Sequence, residues 1–349
     1  MQPSAPRVVA PPSPRLDGTD LDLVAALHVA PRVPTAALAD IIGVPTSTAS
    51  RRLARLQDDR LLRVVGRAAW QLITSSNPFE LWITSAPGQS RAVLAALLEI
   101  PDVQFVIHTS GPADIYANLF PLRGSDHEEL LAARIPSIPG IRAIDSRMIL
   151  EPAKVGQSWR FERLDDDQVR ALEEHAAVEP ETPVLDLDEL SELEFQTMRE
   201  LSVNGRVSAA EVGRTLGVSP STAARAIRRL LATGAVTPRV EIQPDLIGYA
   251  LNAIVTIDVR PRDIRGTLDT LAAHPNVRLL STVTGDSPVS LAGVFQGPEA
   301  LARFLRDDLG ALPGLRSMSS VAGLRLARRY WIDRDGMRLG DQVPDVIRR

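Results

Sequence analysis

The chain of 349 residues has no cysteine, a single lysine (Lys154) and only 4% aromatic residues. Without cysteine it cannot form disulfides, thiolate zinc sites or a thiol nucleophile, and such a composition is typical of a reducing compartment. No apolar run approaches the roughly 18 residues that span a bilayer. The first fifteen residues contain five prolines and lack the apolar core of a signal peptide. We therefore expect a cytoplasmic protein with no membrane partner that begins with a disordered arm.

An excess of basic residues is also absent, since 39 Lys and Arg face 43 Asp and Glu, for a net charge of -4. Strong nucleic-acid binders usually carry a basic excess. The charge is unevenly distributed, however, because thirteen acids lie within residues 162–194. Residues 43–67 carry six arginines and two acids, and residues 217–240 carry four arginines and no acid. The net charge therefore does not exclude a nucleic-acid partner.

The sequence contains a long internal repeat. The segment GVPTSTASRRLARL at residues 43–56 returns as GVSPSTAARAIRRL at residues 217–230, an offset of 174 with 8 of 14 positions identical. The same register, without a gap, aligns roughly residues 16–150 with residues 190–324. This pattern predicts a duplicated unit of about 140 residues, in agreement with a chain too long for one ordinary domain.

The first part of each unit has the pattern of three short helices. In the second copy we predict a first helix that ends in a left-handed cap near Asn204-Gly205. A capping box of Ser208 and Glu211 opens a second helix, Gly217 ends it, and Ser219 caps a third. The corresponding helices of the first copy are predicted at residues 21–27, 35–42 and 46–56. This is the tri-helical helix-turn-helix pattern.

The third helix of each copy has one apolar stripe and an outer face of small hydroxyls and arginines. Such a helix suits the major groove of double-stranded DNA, where arginine binds guanine edges or phosphate oxygens. An arginine-rich face can also be ordinary solvated surface, and the same module also serves in protein interaction. The predicted DNA-binding residues are Ser47, Thr48, Ser50, Arg51, Arg52 and Arg55 in the first copy, and Ser221, Thr222, Arg225, Arg228 and Arg229 in the second.

The second part of each unit has the strand and helix order βαββαβ, which is typical of a ferredoxin-like domain. The strand at residues 250–259 carries apolar residues towards both faces, so we expect helices on one face of the sheet and a partner sheet on the other. The first partner is expected within the chain, and further association into a homodimer or larger homo-oligomer is expected through the remaining surfaces of these ferredoxin-like domains.

The predicted fold class is therefore α+β, with two winged tri-helical helix-turn-helix domains alternating with two ferredoxin-like sensor domains. An acidic linker with a short helix is predicted between the copies, followed by an extended EPETPVLDLD. The predicted limits are a proline-rich arm at 1–15, DNA-binding domains at 16–70 and 186–243, sensor domains at 77–152 and 248–332, a linker at 153–185 and a tail at 333–349.

This combination resembles the Lrp/AsnC, or feast/famine, family of transcriptional regulators. The resemblance rests on the module order, on Pro-x-Val at Pro101 and Pro275, on a glycine eight residues after the valine, and on a later Pro-Gly pair. In the second copy, QPDLIG at residues 243–248 also resembles the family's connection between wing and sensor. The first copy has RAAWQLITSSNPFELWI there instead, so its sensor position is less well defined by the resemblance.

The resemblance implies an amino acid or similar small molecule as effector, bound near a Gly-x-x-Asp turn. The residues that match, or partly match, this turn and its surroundings are Gly111, Asp114, Tyr116, Gly285 and Asp286. The second copy lacks the second acid, so the first sensor domain matches better. The alternative is that both glycines only form a hairpin turn, which needs no ligand.

The five histidines show no metal-ligand spacing, and the chain has no glycine-rich phosphate loop or nucleophile elbow. We therefore predict no catalytic residue, no metal and no cofactor. Two alternatives remain. One is an enzyme resembling the siroheme decarboxylases, which share this architecture but carry a histidine- and arginine-rich segment entering the first sensor strand. The other is an effector-binding or assembly protein that does not bind DNA.

Overall fold

The computed structural model describes residues 14–176, residue 183 and residues 186–349. The arm predicted to be disordered lies outside the described residues, apart from its last two positions, and so does most of the extended stretch predicted at residues 179–188. The helices and strands of the first copy are α1 (Gly18–Val29), α2 (Thr35–Ile41), α3 (Thr46–Asp58), β1 (Leu62–Ala68), α4 (Trp70–Ile73), β2 (Phe79–Ser85), α5 (Ser90–Leu98), β3 (Val103–Thr109), β4 (Ile115–Leu119), α6 (His127–Glu129), which continues as a π-helical turn over Leu130–Arg134, and β5 (Ile141–Lys154).

A linking helix, α7 (Asp166–Glu173), stands between the copies, where a short helix was predicted. The second copy and the C-terminus comprise α8 (Glu192–Val203), α9 (Ala209–Leu216), α10 (Pro220–Ala232), β6 (Val236–Ile242), β7 (Leu251–Val259), α11 (Ile264–Ala272), β8 (Val277–Val283), β9 (Val289–Phe295), α12 (Pro298–Arg303), a π-helical turn over Phe304–Leu309, β10 (Leu315–Arg329), β11 (Ile332–Asp335) and β12 (Arg338–Gln342). Within the described residues, no helix is long and apolar enough to cross a membrane.

The two copies have the same secondary structure at the predicted offset of 174 residues. Six elements of the first copy, namely α1, α3, β1, α5, β3 and the start of β5, coincide with elements of the second copy at that offset. The predicted caps are present, since Ser208 and Glu211 form a capping box and Gly217 is left-handed with φ 69°. The left-handed cap predicted at Asn204-Gly205 is wrong. Asn204 is extended, with φ -131°, because its N–H still bonds to the carbonyl of Glu200 and needs no reversal.

The helix-turn-helix modules are joined by a two-stranded ribbon of β1 and β6, which we call the wing ribbon. In this antiparallel pair Val65 lies opposite Arg239, its own repeat partner, the residue 174 positions further along. A pseudo-two-fold axis therefore passes through the ribbon. Arg32 donates to the carbonyls of Gly205 and Val207, and its repeat partner Arg206 donates to those of residues 31 and 33. These contacts obey the same two-fold relation.

The sensor domains are both ferredoxin-like, with strand orders β3-β4-β2-β5 and β8-β9-β7-β10. The last strand of each sensor domain is long enough to pair with strands of both domains. β5 pairs first with β2 and then with β8, while β10 pairs first with β7 and then with β3. These pairings close the strands into one eight-stranded barrel, which we call the sensor barrel. The predicted partner sheet is thus the other sensor domain of the same chain.

The helices cover the outside of the sensor barrel, and its inside has a separate apolar cluster. In β7, Val255 and Ile257 pack against the helices, whereas Ile254 packs inward with Phe105 and Tyr116. This confirms the expectation that both faces of the sheet are covered. Because alternate side chains point to opposite faces of a strand, a polar residue at an inward position is forced into the closed interior.

Candidate DNA-binding face and sensor cavity

The third helix of each module, α3 or α10, presents the predicted outer face. Ala49, Leu53 and Leu56 are buried in α3, and α10 buries the equivalent stripe of Ala223, Ile227 and Leu230 together with Ala226. Within the predicted DNA-binding set, Ser47, Ser50, Arg51, Arg55, Ser221, Arg225, Arg228 and Arg229 are exposed, and Thr48, Arg52 and Thr222 are half-buried. In α10 the Ser219 hydroxyl that caps the helix also lies 2.9 Å from the Ser221 hydroxyl and 2.8 Å from the Thr222 hydroxyl.

Several predicted DNA-binding arginines have partners within their own module. In the first copy Arg55 Nη2 lies 2.6 Å from the buried carboxylate of Asp20, and Arg52 Nη1 lies 2.9 Å from the same group. In the second copy Arg229 Nη1 lies 2.7 Å from Glu194, the repeat partner of Asp20. These ion pairs tie the third helix to the first helix. These ion pairs were not predicted, although the acid and the arginine recur together at the offset of 174.

The remaining arginines are differently placed. Arg51, its repeat partner Arg225, and Arg228 are exposed and make no ion pair or hydrogen bond with any residue that the structure describes. A guanidinium without an internal partner can give all its donors to a base edge or a phosphate. Of these three arginines, Arg51 and Arg225 occupy equivalent positions on two related helices.

The predicted effector residues do not form one group. Gly111 and Gly285 have φ of 110° and 105° and lie in hairpin turns. This agrees with the alternative in which the two glycines only form a turn. Asp114 accepts from the backbone N–H of Ser85 at 2.7 Å and also from the Ser85 hydroxyl, so it holds the end of β2. Asp286 is exposed. Tyr116 instead points into the sensor barrel.

The sensor barrel encloses a cavity of about 100 Å³ near Tyr116. Glu80, on β2, lines this cavity with only 4% of its surface exposed. Burial raises the pKa of Glu80, although the nearby Ser290, Tyr116 and Trp82 oppose that rise. Burial also raises the pKa of Tyr116 well above its usual value, and Asn118 Nδ2 donates to the Tyr116 hydroxyl at 3.0 Å. Glu80 was not among the predicted site residues, although it is a charged residue in a strand with apolar residues on both faces.

Basic residues also line the cavity. Arg67 at the end of β1 and Lys154 at the end of β5 do so, together with Tyr330. The Lys154 amine donates to the carbonyl of His274 at 3.0 Å, and burial lowers its pKa. The guanidinium of Arg239 stacks 3.4 Å from the centre of the Tyr330 ring.

Around Arg239, buried arginines outnumber acids. Glu241 is fully buried and lies 2.5 Å from Arg239, 2.9 Å from Arg329 and 2.6 Å from Arg334. Burial alone would raise the pKa of Glu241, but the three guanidiniums and Arg278 outweigh it and lower the pKa to about 2. This cluster joins the wing ribbon to the barrel and to the hairpin of β11 and β12, which occupies the region predicted as a tail.

Two recognition helices fixed by a two-fold contact, together with a closed pair of ferredoxin-like sensors, define a class of helix-turn-helix regulators with a ligand-binding domain. Comparison with protein families agrees. Residues 16–57 match the AsnC-type helix-turn-helix domain, residues 190–237 match a winged helix-turn-helix DNA-binding domain, and residues 252–326 match the Lrp/AsnC ligand binding domain.

Similar proteins point the same way. An uncharacterized HTH-type transcriptional regulator of Pyrococcus furiosus is 30% identical over 129 residues, which are 37% of this chain and 87% of that protein. The HTH-type transcriptional regulator Ptr1 of Methanocaldococcus jannaschii is 26% identical over 137 residues, covering 39% of this chain and 93% of that protein. The chain belongs to the Lrp/AsnC family of HTH-type transcriptional regulators, in a form that carries the family's unit twice.

A solved structure resembles the chain over both copies. The siroheme decarboxylase NirDL has a TM-score of 0.58 and 13% identity, covering 89% of this chain and 92% of that protein. At this identity the likeness concerns the fold alone. It shows that two such units in one chain are a recurring arrangement.

Proposed function

We propose that the protein is a sequence-specific regulator that binds double-stranded DNA through α3 and α10. A second part of the proposal is that an amino acid or similar small molecule, bound by the sensor domains, modulates this binding. The observation that supports DNA binding best concerns two arginines, Arg51 and Arg225. Both are exposed, both are unpartnered among the described residues, and they occupy equivalent positions about the pseudo-two-fold axis.

The two-fold relation also bears on the form of the operator. Dimeric helix-turn-helix proteins bind palindromic sites because the site mirrors the symmetry of the protein. Here the helices are related by a two-fold but are not identical, because Ser50 corresponds to Ala224 and Ala54 corresponds to Arg228. We therefore expect an imperfect inverted repeat with two different half-sites, bound by one chain.

The test begins with selection of bound sequences from random DNA, followed by substitution of each arginine. Arg51→Ala and Arg225→Ala should each cost about 1 to 3 kcal/mol at the selected site if the arginine is bidentate to guanine. Each variant should relax specificity in a different half-site. If the arginines contact phosphate only, affinity should fall equally on all sequences and the salt slope should flatten by about one unit.

Arg303→Ala supplies the control, because Arg303 is an exposed arginine on the outside of the sensor barrel. It should leave DNA affinity unchanged. If Arg51→Ala and Arg225→Ala also bind like the parent protein, the recognition helices do not contact DNA, and the alternative of an effector-binding or assembly protein would be favoured.

The proposal includes homo-oligomers that form through the outer sensor surfaces, a cytoplasmic location and no catalytic activity. With regard to the enzyme alternative, none of the five histidines lines the sensor cavity, so this chain lacks the histidines expected of a siroheme decarboxylase-like site. Titration with an iron tetrapyrrole provides the check. A tight complex with a shifted Soret band would favour the enzyme.

A further inference from the structure

We propose that a small cavity between the wing ribbon and the hairpin of β11 and β12, which we call the ribbon cavity, binds one phosphate group per chain. The group is either inorganic phosphate or the phosphate of a small ester. Arg67 of β1, Arg239 of β6 and Tyr330, in the turn after β10, line the ribbon cavity and supply the donors. This space is separate from the sensor cavity, with which it shares only Arg67 and Tyr330 among the described residues.

Unpartnered donors at the ribbon cavity provide the first argument. Only 3% of the surface of Arg239 is exposed, and its Nε and Nη1 have no hydrogen-bond partner within the described structure. The Nε of Arg67 is buried and is likewise unpartnered among the residues that the structure describes. Buried N–H groups are normally paired. The oxygens of a phosphate group match the fork of a guanidinium, so phosphate would supply the missing acceptors.

A surplus of buried positive charge provides the second argument. Four buried arginines face the single carboxylate of Glu241, namely Arg329, Arg239, Arg334 and Arg278. Burial lowers the pKa of Arg334 to about 9, and Arg329 and Arg239 act in the same direction, while Glu241 opposes them. Charges that are buried without a counter-charge are costly. A phosphate group carries more than one negative charge at neutral pH, so it would balance part of the surplus.

The site occurs once per chain, because the two copies differ here. The repeat partner of Glu241 is Arg67, so the first copy has a further cation where the second copy has its acid. The residue 174 positions before Tyr330 is Gly156. A Cβ on Gly156 would lie 3.1 Å from the Tyr330 hydroxyl and 3.3 Å from Arg239 Nη1. The missing side chain therefore leaves these two donors uncovered.

A buried acceptor distinguishes phosphate from other oxyanions. Gln342 Nε2 donates to the carbonyl of Ser202 at 3.1 Å, which fixes the orientation of the amide. Its Oε1 is then a buried acceptor without a partner in the described part of the chain, and Gln342 lines the ribbon cavity. Inorganic phosphate keeps a hydroxyl at neutral pH and can donate to this oxygen, whereas sulfate has no proton to donate. We therefore expect phosphate to bind more tightly than sulfate.

The turn that carries Tyr330 has an uncommon backbone. Tyr330 and Trp331 have φ of 53° and 58°, a left-handed conformation that bulky residues seldom adopt. Trp331 is anchored, since its indole N–H donates to the carbonyl of Pro101 at 2.7 Å. The turn places the centre of the Tyr330 ring 3.4 Å from the guanidinium of Arg239. Strained backbone is concentrated at functional sites, which agrees with a ligand at this turn.

The size of the ribbon cavity suits a compact ion. Its volume is about 30 Å³, and roughly 10–15 Å³ of such space holds one water. It therefore admits an occupant about the size of two or three waters, which is the size class of phosphate. An ester would have to extend past Arg67 and Tyr330 into the larger sensor cavity. We therefore expect inorganic phosphate to bind more tightly than an ester.

The experiment is isothermal titration of the full chain, in Tris chloride at neutral pH, with sodium phosphate, sodium sulfate and glycerol 3-phosphate. Phosphate should bind with a Kd below about 1 mM, and sulfate should bind at least tenfold more weakly. Phosphate should also raise the melting temperature, because a ligand that binds only the folded state stabilises it. Sodium chloride at equal ionic strength should raise it less. Tighter binding of glycerol 3-phosphate than of phosphate would identify an ester as the source of the group.

Substitutions locate the binding site. Arg67→Gln should weaken phosphate binding at least tenfold, because it removes a charge and a fork of donors. Arg63→Gln is the matched control, since it removes the same charge from the same strand at a residue that does not line the ribbon cavity, and it should bind like the parent protein. Gly156→Ala should weaken binding without changing a charge, because its methyl group would cover the Tyr330 hydroxyl and Arg239. If Arg67→Gln does not fold, Gly156→Ala decides the question.

The proposal is overturned if neither phosphate compound binds, if sulfate binds as tightly as phosphate, or if Arg67→Gln and Gly156→Ala both bind like the parent protein. It is also overturned if Arg63→Gln weakens binding as much as Arg67→Gln, which would indicate a general effect of charge. Arg51→Ala should bind phosphate like the parent protein, and loss of binding in this variant would place the ion on the DNA-binding face instead. DNA affinity measured without phosphate is a separate readout, so failure here leaves the DNA-binding proposal intact.

Discussion

The contacts that join the two copies are equivalent in both copies, whereas the residues that line the enclosed interior differ between them. At the joints every pairing has its counterpart. Ile149 pairs with Val283 and Gly323 pairs with Thr109, and the two pairs are related by the offset of 174. Inside the barrel the equivalent positions differ in polarity, as Glu80 and Ile254 show. The joints consist largely of backbone hydrogen bonds and of arginine donors to carbonyls, which tolerate many side-chain changes, whereas a closed interior does not.

The same contrast applies to charge. The buried cluster around Glu241 lies on one side of the pseudo-two-fold axis, because the repeat partners of Glu241, Arg239 and Arg329 are Arg67, Val65 and Val155. The first copy contributes no equivalent acid at that position. The backbone pairings therefore obey the two-fold relation, whereas the buried charged residues lie on one side of the axis. Three predictions test this difference, from the largest expected effect to the smallest.

Glu241→Gln should have the largest effect on stability. The substitution removes the carboxylate that faces four buried arginines, and leaving buried charges without their partner typically costs about 3 to 5 kcal/mol. The measurement is the free energy of unfolding from urea denaturation at pH 7. Arg163→Ala, which breaks the more exposed pair with Asp22, should cost about 1 kcal/mol or less. Equal effects of the two variants would show that the cluster does not depend on its carboxylate.

His28 should make the protein sensitive to acid. Burial, together with Arg278, Arg160 and Arg239, lowers the pKa of His28 to about 3, while its Nδ1 bonds to the carbonyl of Val24 at 3.0 Å. Between the folded pKa and an unfolded pKa of about 6.5, only the unfolded state takes up the proton. Stability is therefore lost as the pH falls through this window.

The expected contribution of His28 is about 2 to 3 kcal/mol between pH 6.5 and 4.5. Urea denaturation of the parent and of His28→Phe at both pH values gives the difference. The variant should lose less stability over this interval. Parallel curves for the two proteins would mean that His28 is protonated equally in the folded and unfolded states. The repeat partner of His28 is Ser202, so this sensitivity belongs to one copy.

Arg32→Ala and Arg206→Ala should have smaller and equal effects. Each arginine donates to two carbonyls of the other copy, and hydrogen bonds from charged groups contribute about 1.5 to 3 kcal/mol in favourable cases. Both arginines are only partly buried, so we expect about 1 to 2 kcal/mol for each variant. The measurement is again the free energy of unfolding. A difference above 1 kcal/mol between the two variants would show that the joints, too, have become unequal.

Much of the architecture could be predicted because it is encoded locally or by repetition. Ser208, Glu211 and Gly217 signal helix ends through short-range rules, and the gapless offset of 174 predicts the second copy from the first. The two sensor domains and their mutual packing follow from strands that are apolar on both faces.

Other features depend on contacts that local patterns do not encode. Nothing in β1 or β6 alone shows that the two wings pair with each other. Trp159, which is buried against the first helical module, lies in a stretch that was predicted as linker, and Arg334 lies in the predicted tail. Arg52 and Arg55 were predicted as DNA contacts from the exposed face of their helix. Their ion pairs with Asp20 were not predicted, because Asp20 lies more than thirty residues before them in sequence.

The exchange of β5 and β10 between sheets has a consequence for synthesis. β5 emerges from the ribosome with its second half unpaired, because its partner β8 lies more than a hundred residues further along the chain. Until β8 and β10 arrive, the first sensor domain exposes the edges of both β5 and β3, and such edges readily pair with other chains. Closing the barrel also requires pairings between distant residues, which form slowly. We therefore expect truncated or slowly translated chains to aggregate. In the complete chain, β8 and β10 cover the edges of β5 and β3, so aggregation through these edges is prevented.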